Sequence, residues 1–449
     1  MKKLLLSGLM ALSTAQAATI AVIDSGLDVE HEQIVPNLWV NSGPLSLELF
    51  KDVLHGWNFV DNNNQVIDRK LFNYFASSEA DIKKYFEILA KHYMLQTTDE
   101  DRAWAIQMQS TPGFIPKVRS YGTFMHGTHV AGISVKGSEN KAMGILLLKT
   151  NVQTEIQAAQ AQKQDQVTES PWVKIDPLID SVASGQMRSM VTIGQFVHSH
   201  NADVANGSFG TGYNQALSFA DIVFVNLIGR LPTAEERKQA AIKLVKALSE
   251  KAVDFVGAAP KTLFVFAAGN DGLNNDEFGT SPANVKADNS MSVAATFEDQ
   301  FLAPFSNWGT ATVDLAAPGM LIRSAVPGVG SLPVSGTSQA APYVANVAGQ
   351  VKDANPDLTP KEIKEILMGT VDKKSFLKIR VKSGGLVNKD RAVLAADLSR
   401  KMTLAEAIAI SFERMPMLVE ATSDLVGEKS LQSMLGEIKP VEMPSMLEF

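Results

Sequence analysis

Thr19-Ile20-Ala21-Val22-Ile23-Asp24-Ser25-Gly26 is an unbroken apolar and β-branched run closed by an acid, a serine and a glycine. A strand with one wet face alternates polar and apolar residues. A run without alternation is buried on both faces, as in a parallel sheet covered by helices on each side, and Asp-Ser-Gly is the turn that stops it. The pattern recurs. Leu263 to Ala268 stops at Gly269-Asn270-Asp271-Gly272, and Met291 to Ala295 precedes another loop, with helical segments between. That alternation predicts an α/β fold of three layers: a mostly parallel central sheet with helices on both faces, carrying helical insertions.

Two helix starts are marked by capping boxes, Thr233 with Glu236, and Thr359 with Pro360 and Glu362. Residues from about 41 to 120 differ in texture, aromatic and charged with helical spacing around Leu71 to Leu95, and read as an insertion. A second insertion is expected over about 150–182, glutamine-rich at its start, and 401–449 reads as a methionine-rich helical extension.

With 449 residues the chain is long enough for a substantial core. Lys plus Arg total 41 against 48 Asp plus Glu, with no basic concentration, so nucleic acid is not an expected partner. Met1-Lys2-Lys3, the mostly apolar run Leu4 to Leu12 and Ala15-Gln16-Ala17 follow the order of an export signal, with cleavage expected after Ala17 and a secreted or periplasmic destination. The run is too short to span a bilayer, so no membrane association is expected after cleavage. The chain has no cysteine, which excludes disulfides, thiolate metal sites and lipid attachment at cysteine.

Four islands carry chemistry. Asp24 in Asp-Ser-Gly reads alone as a turn aspartate. In His126-Gly127-Thr128-His129-Val130-Ala131-Gly132 the two histidines share a helix face, but the Glu of a His-Glu-x-x-His zinc helix is missing, and His129 reads as a packed core histidine. Asn270, at the exit of a buried strand, is a turn former or an amide donor to an oxyanion. In Ser335-Gly336-Thr337-Ser338-Gln339-Ala340-Ala341-Pro342, the proline sets Ser338 at or just before a helix start, where unpaired N–H groups and the helix dipole favour negative charge. Alone, Ser338 reads as an N-cap.

Together the islands resemble the subtilisin family, the subtilases, whose order is Asp, His, Ser with the oxyanion asparagine between His and Ser. Val-Ile-Asp-Ser-Gly at 22–26, His-Gly-Thr-His-Val-Ala-Gly at 126–132, Ala-Ala-Gly-Asn at 267–270 and Gly-Thr-Ser-x-Ala-x-Pro at 336–342 carry the resemblance. Asn206 to Gly210, Phe305 to Gly309, and Ala316, Pro318 and Gly319 extend it. It implies a serine endopeptidase domain over 18–400, acting on polypeptides through Asp24, His126 and Ser338 with Asn270 in the oxyanion hole. Ser208, Phe209, Gly210, Ala267, Ala268, Gly269 and Thr280 would bind substrate, with apolar side chains preferred before the cleaved bond. That chemistry needs no cofactor. Glu139 and Asn140 are candidate oxygen ligands for a structural calcium. The family's usual N-terminal propeptide finds no room between Ala17 and the strand, and the C-terminal extension is the expected intramolecular inhibitor in its place. The alternatives are a catalytically silent binding protein on the same fold and an α/β-hydrolase, which would require Gly-x-Ser-x-Gly and its histidine last.

Overall fold

The computed structural model describes residues 17–43, 46, 47, 50–150 and 170–417. Residues 1–16 of the expected leader, the start of the second insertion and the extension beyond Met417 lie outside them.

Among the described residues eight parallel strands form the centre: β1 (Thr19–Asp24), β2 (Gly56–Asn58), β3 (Lys141–Leu146), β4 (Val204–Gly207), β5 (Leu263–Ala267), β6 (Ser290–Phe297), β7 (Leu315–Pro318) and β8 (Gly385–Leu386). They lie in the order β8-β7-β6-β5-β4-β1-β3-β2, with short antiparallel pieces Asp372–Lys373 on β8 and Phe301–Leu302 on β6. Every residue of β1 is buried, as its unbroken apolar run requires.

Alternate side chains of β1, β3, β4 and β5 go to opposite faces and into two separate cores. Ile20, Val22, Val265 and Val293 pack under α4 (Phe114–Val135), α8 (Thr337–Ala354), α9 (Pro360–Gly369) and α10 (Lys389–Ser399). Ala21, Ile23, Phe264 and Phe266 pack under α5 (Trp172–Ser199), α6 (Tyr213–Val223) and α7 (Ala234–Gly257). Each fully buried large aliphatic residue contributes roughly 1.5–3 kcal/mol. The three layers match the sequence expectation. The capping boxes at Thr233 and Thr359 start α7 and α9, each threonine hydroxyl accepting from the N–H of the glutamate three residues on.

The insertions are more entangled with the sheet than their texture suggested. Within 41–120 the chain rejoins the central sheet as β2, then forms α1 (Lys70–Phe75), α2 (Glu79–Tyr93) and α3 (Asp99–Gln109). These bury Leu71, Phe75, Ile82 and Phe86 against Phe114, Tyr121 and Phe124, a third core built on the N-terminal half of α4. Residues 172–182 are the first turns of the sheet-covering α5. At the other end α11 (Leu404–Arg414) packs on α10. Arg391 of α10 is almost fully buried and donates to the carbonyls of Thr370 and Met415, so the chain through Met417 continues the body of the fold. Among the described residues no helix is long and apolar enough to cross a membrane.

The chain leaves β1 toward β3 on one side and returns to β4 on the other. That reversal makes the carboxyl ends of β1 and β4 a topological switch point, the place where ligands bind in open α/β sheets.

Candidate active site

Asp24 is the last residue of β1, at this edge of the sheet. Its carbonyl accepts from the N–H groups of Leu147 and Leu148, and its side chain is fully buried. Asp24 Oδ1 lies 2.7 Å from His126 Nδ1 and also accepts from Ser25 N–H at 2.7 Å. A carboxylate can only accept, so Nδ1 carries the proton, and a neutral His126 presents an unprotonated Nε2 on its far side.

His126 is held from the interior of α4. The N–H of Gly127 donates to Ser25 Oγ at 3.1 Å, and a Cβ at Gly127 would stand 2.1 Å from the Gly26 carbonyl oxygen. Only glycine lets this helix lie so close to the end of β1. One turn on, His129 is fully buried and donates from Nε2 to the Leu332 carbonyl at 3.0 Å. Burial pushes its pKa down to about 4, so it is neutral at pH 7, the packed core histidine expected from the sequence.

Ser338 is the second residue of α8, where Pro342 predicted it. Its hydroxyl donates to the Ser208 carbonyl at 3.3 Å, and the Ser208 hydroxyl donates to the Ser338 carbonyl at 3.0 Å. This reciprocal pair ties the exit of β4 to the start of α8. Among the described residues no hydrogen bond joins Ser338 to His126. The two helices nevertheless pack side by side, with Gln339 Nε2 3.5 Å from His129 Nδ1.

Asn270 follows β5. Its Oδ1 accepts from both the backbone N–H and the hydroxyl of Thr337, each at 2.9 Å. With the carbonyl end of the amide engaged, the Nδ2 end is turned to donate, and it approaches the start of α8: a Cβ on Gly336 would lie 3.4 Å from it. Gly269 makes the turn with φ +113, and a Cβ there would stand 2.3 Å from Asn307 Nδ2.

Of the other expected site residues, Ser208, Gly269 and Thr280 gather near Ser338 and Asn270. The N–H of Gly269 donates to Thr337 Oγ1 at 3.1 Å, and a Cβ at Gly269 would lie 3.1 Å from Thr280 Oγ1. Gly210 packs with its Cα toward the Ser281 carbonyl, and Ala267 ends β5 with its side chain in the core. The Phe209 ring and the Ala268 methyl are fully buried in two other apolar clusters, so both side chains serve the core and what they offer at this edge is backbone. Asn140 is fully buried with its amide donating to the Asn346 carbonyl at 2.9 Å, while Glu139 is exposed. Asn140 Oδ1 is buried with no hydrogen-bond partner, and among the described residues no three acidic or histidine side chains cluster in a way that could hold a metal ion.

Sequence reading missed the residues that orient the site. Thr337 fixes the Asn270 amide. Asn307 accepts from the N–H groups of Asp271 and Leu273 through Oδ1 and donates through Nδ2 to Asn275 and Thr280, shaping the loop after Asn270. The sequence signal for both was position alone, beside Ser338 and inside Phe305 to Gly309.

Comparison with known proteins identifies the family. Alkaline elastase YaB of Bacillus sp. (strain YaB) is 40% identical over 124 residues, 28% of this chain and 31% of that protein. The cell wall-associated protease of Bacillus subtilis (strain 168) is 30% identical over 251 residues, 56% of this chain and 22% of that protein. The chain thus spans less than a third of the length of these relatives. A cold-adapted subtilisin-like serine proteinase of known structure aligns over 82% of this chain and 89% of its own, with a TM-score of 0.43 and 20% identity. The model of the subtilase family matches residues 15–392, a span that encloses Asp24, His126, Asn270 and Ser338, and the chain belongs to the subtilase family.

Proposed function

We propose that the protein is an exported serine endopeptidase in which Ser338 attacks the peptide carbonyl, His126 moves the proton and Asp24 holds His126. The observation that carries this reading is the 2.7 Å hydrogen bond from His126 Nδ1 to the buried Asp24 carboxylate. It fixes the tautomer that leaves Nε2 basic and stabilises the imidazolium once it forms.

A serine hydroxyl is a weak nucleophile at neutral pH and needs a base within hydrogen-bond reach. The Ser338 hydroxyl therefore leaves the Ser208 carbonyl, 3.3 Å away, and turns about χ1 to donate to His126 Nε2. Loose contacts of this kind in an unliganded site tighten when substrate binds. As Oγ bonds to the carbonyl carbon, the proton passes to Nε2 and the carbonyl oxygen becomes an oxyanion. Asn270 Nδ2 and the Ser338 backbone N–H at the start of α8 are the donors for that charge. The tetrahedral species collapses to an acyl-enzyme as His126 protonates the departing amine. Water, deprotonated by His126, then releases the acid and restores Ser338.

Peptide substrate lies extended along Ser208–Gly210. The leader Met1–Ala17 directs export to the periplasm or medium, and the segment beyond Met417 inhibits the site in the full-length chain. Deleting residues 418–449 raises initial activity if this is so; unchanged activity and folding yield remove the idea.

The central test is labelling by a fluorophosphonate probe together with casein hydrolysis. Wild type takes up one label on Ser338 and cleaves casein, and Ser338→Ala does neither. A folded wild type that stays unlabelled is a silent binding protein, and a Ser338→Ala variant with full activity has its nucleophile elsewhere.

A further inference from the structure

The base of the sheet, on the side away from Ser338, holds carboxylates in search of a cation. Ala18, just before β1, is almost fully buried, and its backbone nitrogen donates to Asp353 Oδ1 at 2.7 Å. The next nitrogen along, that of Thr19, donates to Asp203 Oδ2 at 3.0 Å. Asp353 lies in the last turn of α8 and Asp203 just before β4, so two elements distant in sequence converge on the first residues of β1.

Burial raises both carboxyls above the ordinary aspartate range. For Asp353 the neighbouring charges of Asp203 and Glu139 raise it further. Lys352, the cation that Asp203 feels, has its own ammonium on the Pro356 and Leu358 carbonyls at 2.6 and 2.9 Å. Lys141, paired with Thr19 in the adjacent strand β3, donates its Nζ to the Pro36 carbonyl at 3.1 Å. A single neutral amide N–H is a poor partner for such a surround, whereas an ammonium at the same nitrogen supplies three donors and a full charge.

We propose that removal of the leader after Ala17 places the new α-ammonium of Ala18 on Asp353, next to the Asp203 carboxylate that holds the Thr19 nitrogen, so that export processing completes an ion pair that stabilises the mature fold. The inference rests on the export reading given above. Water is the co-reactant and a membrane signal peptidase the agent. The Ala17–Ala18 peptide bond breaks, Ala17 leaves as a carboxylate, and the Ala18 amine takes a proton, as an α-amino group with an ordinary pKa of about 8 does at neutral pH. The cut falls on the unfolded chain during export, so the burial of Ala18 in the folded protein does not protect it. Charge thus arrives before the strand folds against its acceptors.

The test compares chains that begin at Ala18 in a Ser338→Ala background, which prevents self-digestion. One carries a free amine; the other is acetylated at Ala18, which keeps an N–H at the same atom and removes only the charge. The free-amine chain melts a few degrees higher at pH 7 and low salt, on the order of 2–4 °C, and Asp353→Asn abolishes the gap. Equal melting of the two chains overturns the ion pair, as does a gap that survives Asp353→Asn. Melting that responds to added calcium but not to acetylation gives the carboxylates to a metal instead. Mass spectrometry of the exported protein separates the two layers. A mature start at Ala18 supports the processing step, and any other start removes it whatever the melting shows.

Discussion

α4 and α8 meet at the proposed active site and deliver their residues in opposite ways. Ser338 stands in the first turn of α8, where backbone N–H groups have no partners within the helix and the dipole is positive. His126 stands about three turns into α4, far from the helix end where such unpaired groups lie. The difference follows from what each is asked to do. Beside the nucleophile, charge develops and unpaired donors are useful. The base needs a fixed direction, and α4 supplies one by lying against Gly26 and by resting its N-terminal half on the inserted core of α1–α3. The insertion thus lengthens the helix that carries the base while leaving the start of α8 untouched.

Asp24→Asn tests the direction of His126. An amide can offer its NH2 to Nδ1, which turns the neutral imidazole to the wrong tautomer and moves the proton to Nε2. Turnover on a peptide substrate should fall about 10⁴-fold with little change in KM. A loss below tenfold, in a variant with wild-type melting, would mean that the α4 side needs only placement and no electrostatic partner.

On the α8 side, Asn270→Ala removes one of the two proposed oxyanion donors and leaves the Ser338 N–H. The expected cost is roughly 10² to 10³ in kcat with KM nearly unchanged. A rise in KM at constant kcat would assign Asn270 to substrate binding instead, and the contrast between the two helices would lose its chemical basis.

Much of this was legible beforehand where the signal was local. The unbroken run at 19–23 gave a strand buried on both faces, Pro342 set Ser338 into a helix start, and Thr233 and Thr359 marked α7 and α9. What stayed hidden depends on contacts between residues far apart. β2 is three residues long, too short for any period to declare it, and it joins the sheet only because β3 offers an edge. The grip of Thr337 on Asn270 joins positions 67 apart. The direction of the Phe209 ring is set by an apolar core contributed by α5–α7, so a residue placed by motif at the substrate strand proves to face inward. The four motif stretches meet in the fold through hydrogen bonds that carry no period or composition of their own.

The smallest effect comes from a second histidine on α4, one turn from the first. His129 is neutral in the folded protein, with its pKa held near 4 by burial, against an ordinary value of about 6.5. Between those values the unfolded chain binds a proton that the folded chain refuses, so stability rises with pH across the window and is lost as pH falls from 6.5 toward 4. The ceiling on that loss is roughly 3 kcal/mol. His129→Gln keeps a donor for the Leu332 carbonyl and removes the titration. Urea midpoints at pH 7, 5.5 and 4.5 should show wild type losing more stability on acidification than the variant. The shared losses from carboxylates cancel in the difference. Parallel curves would mean that His129 takes up its proton without cost, and hence that α4 is packed less tightly around its middle than the approach of Gly127 to Gly26 requires.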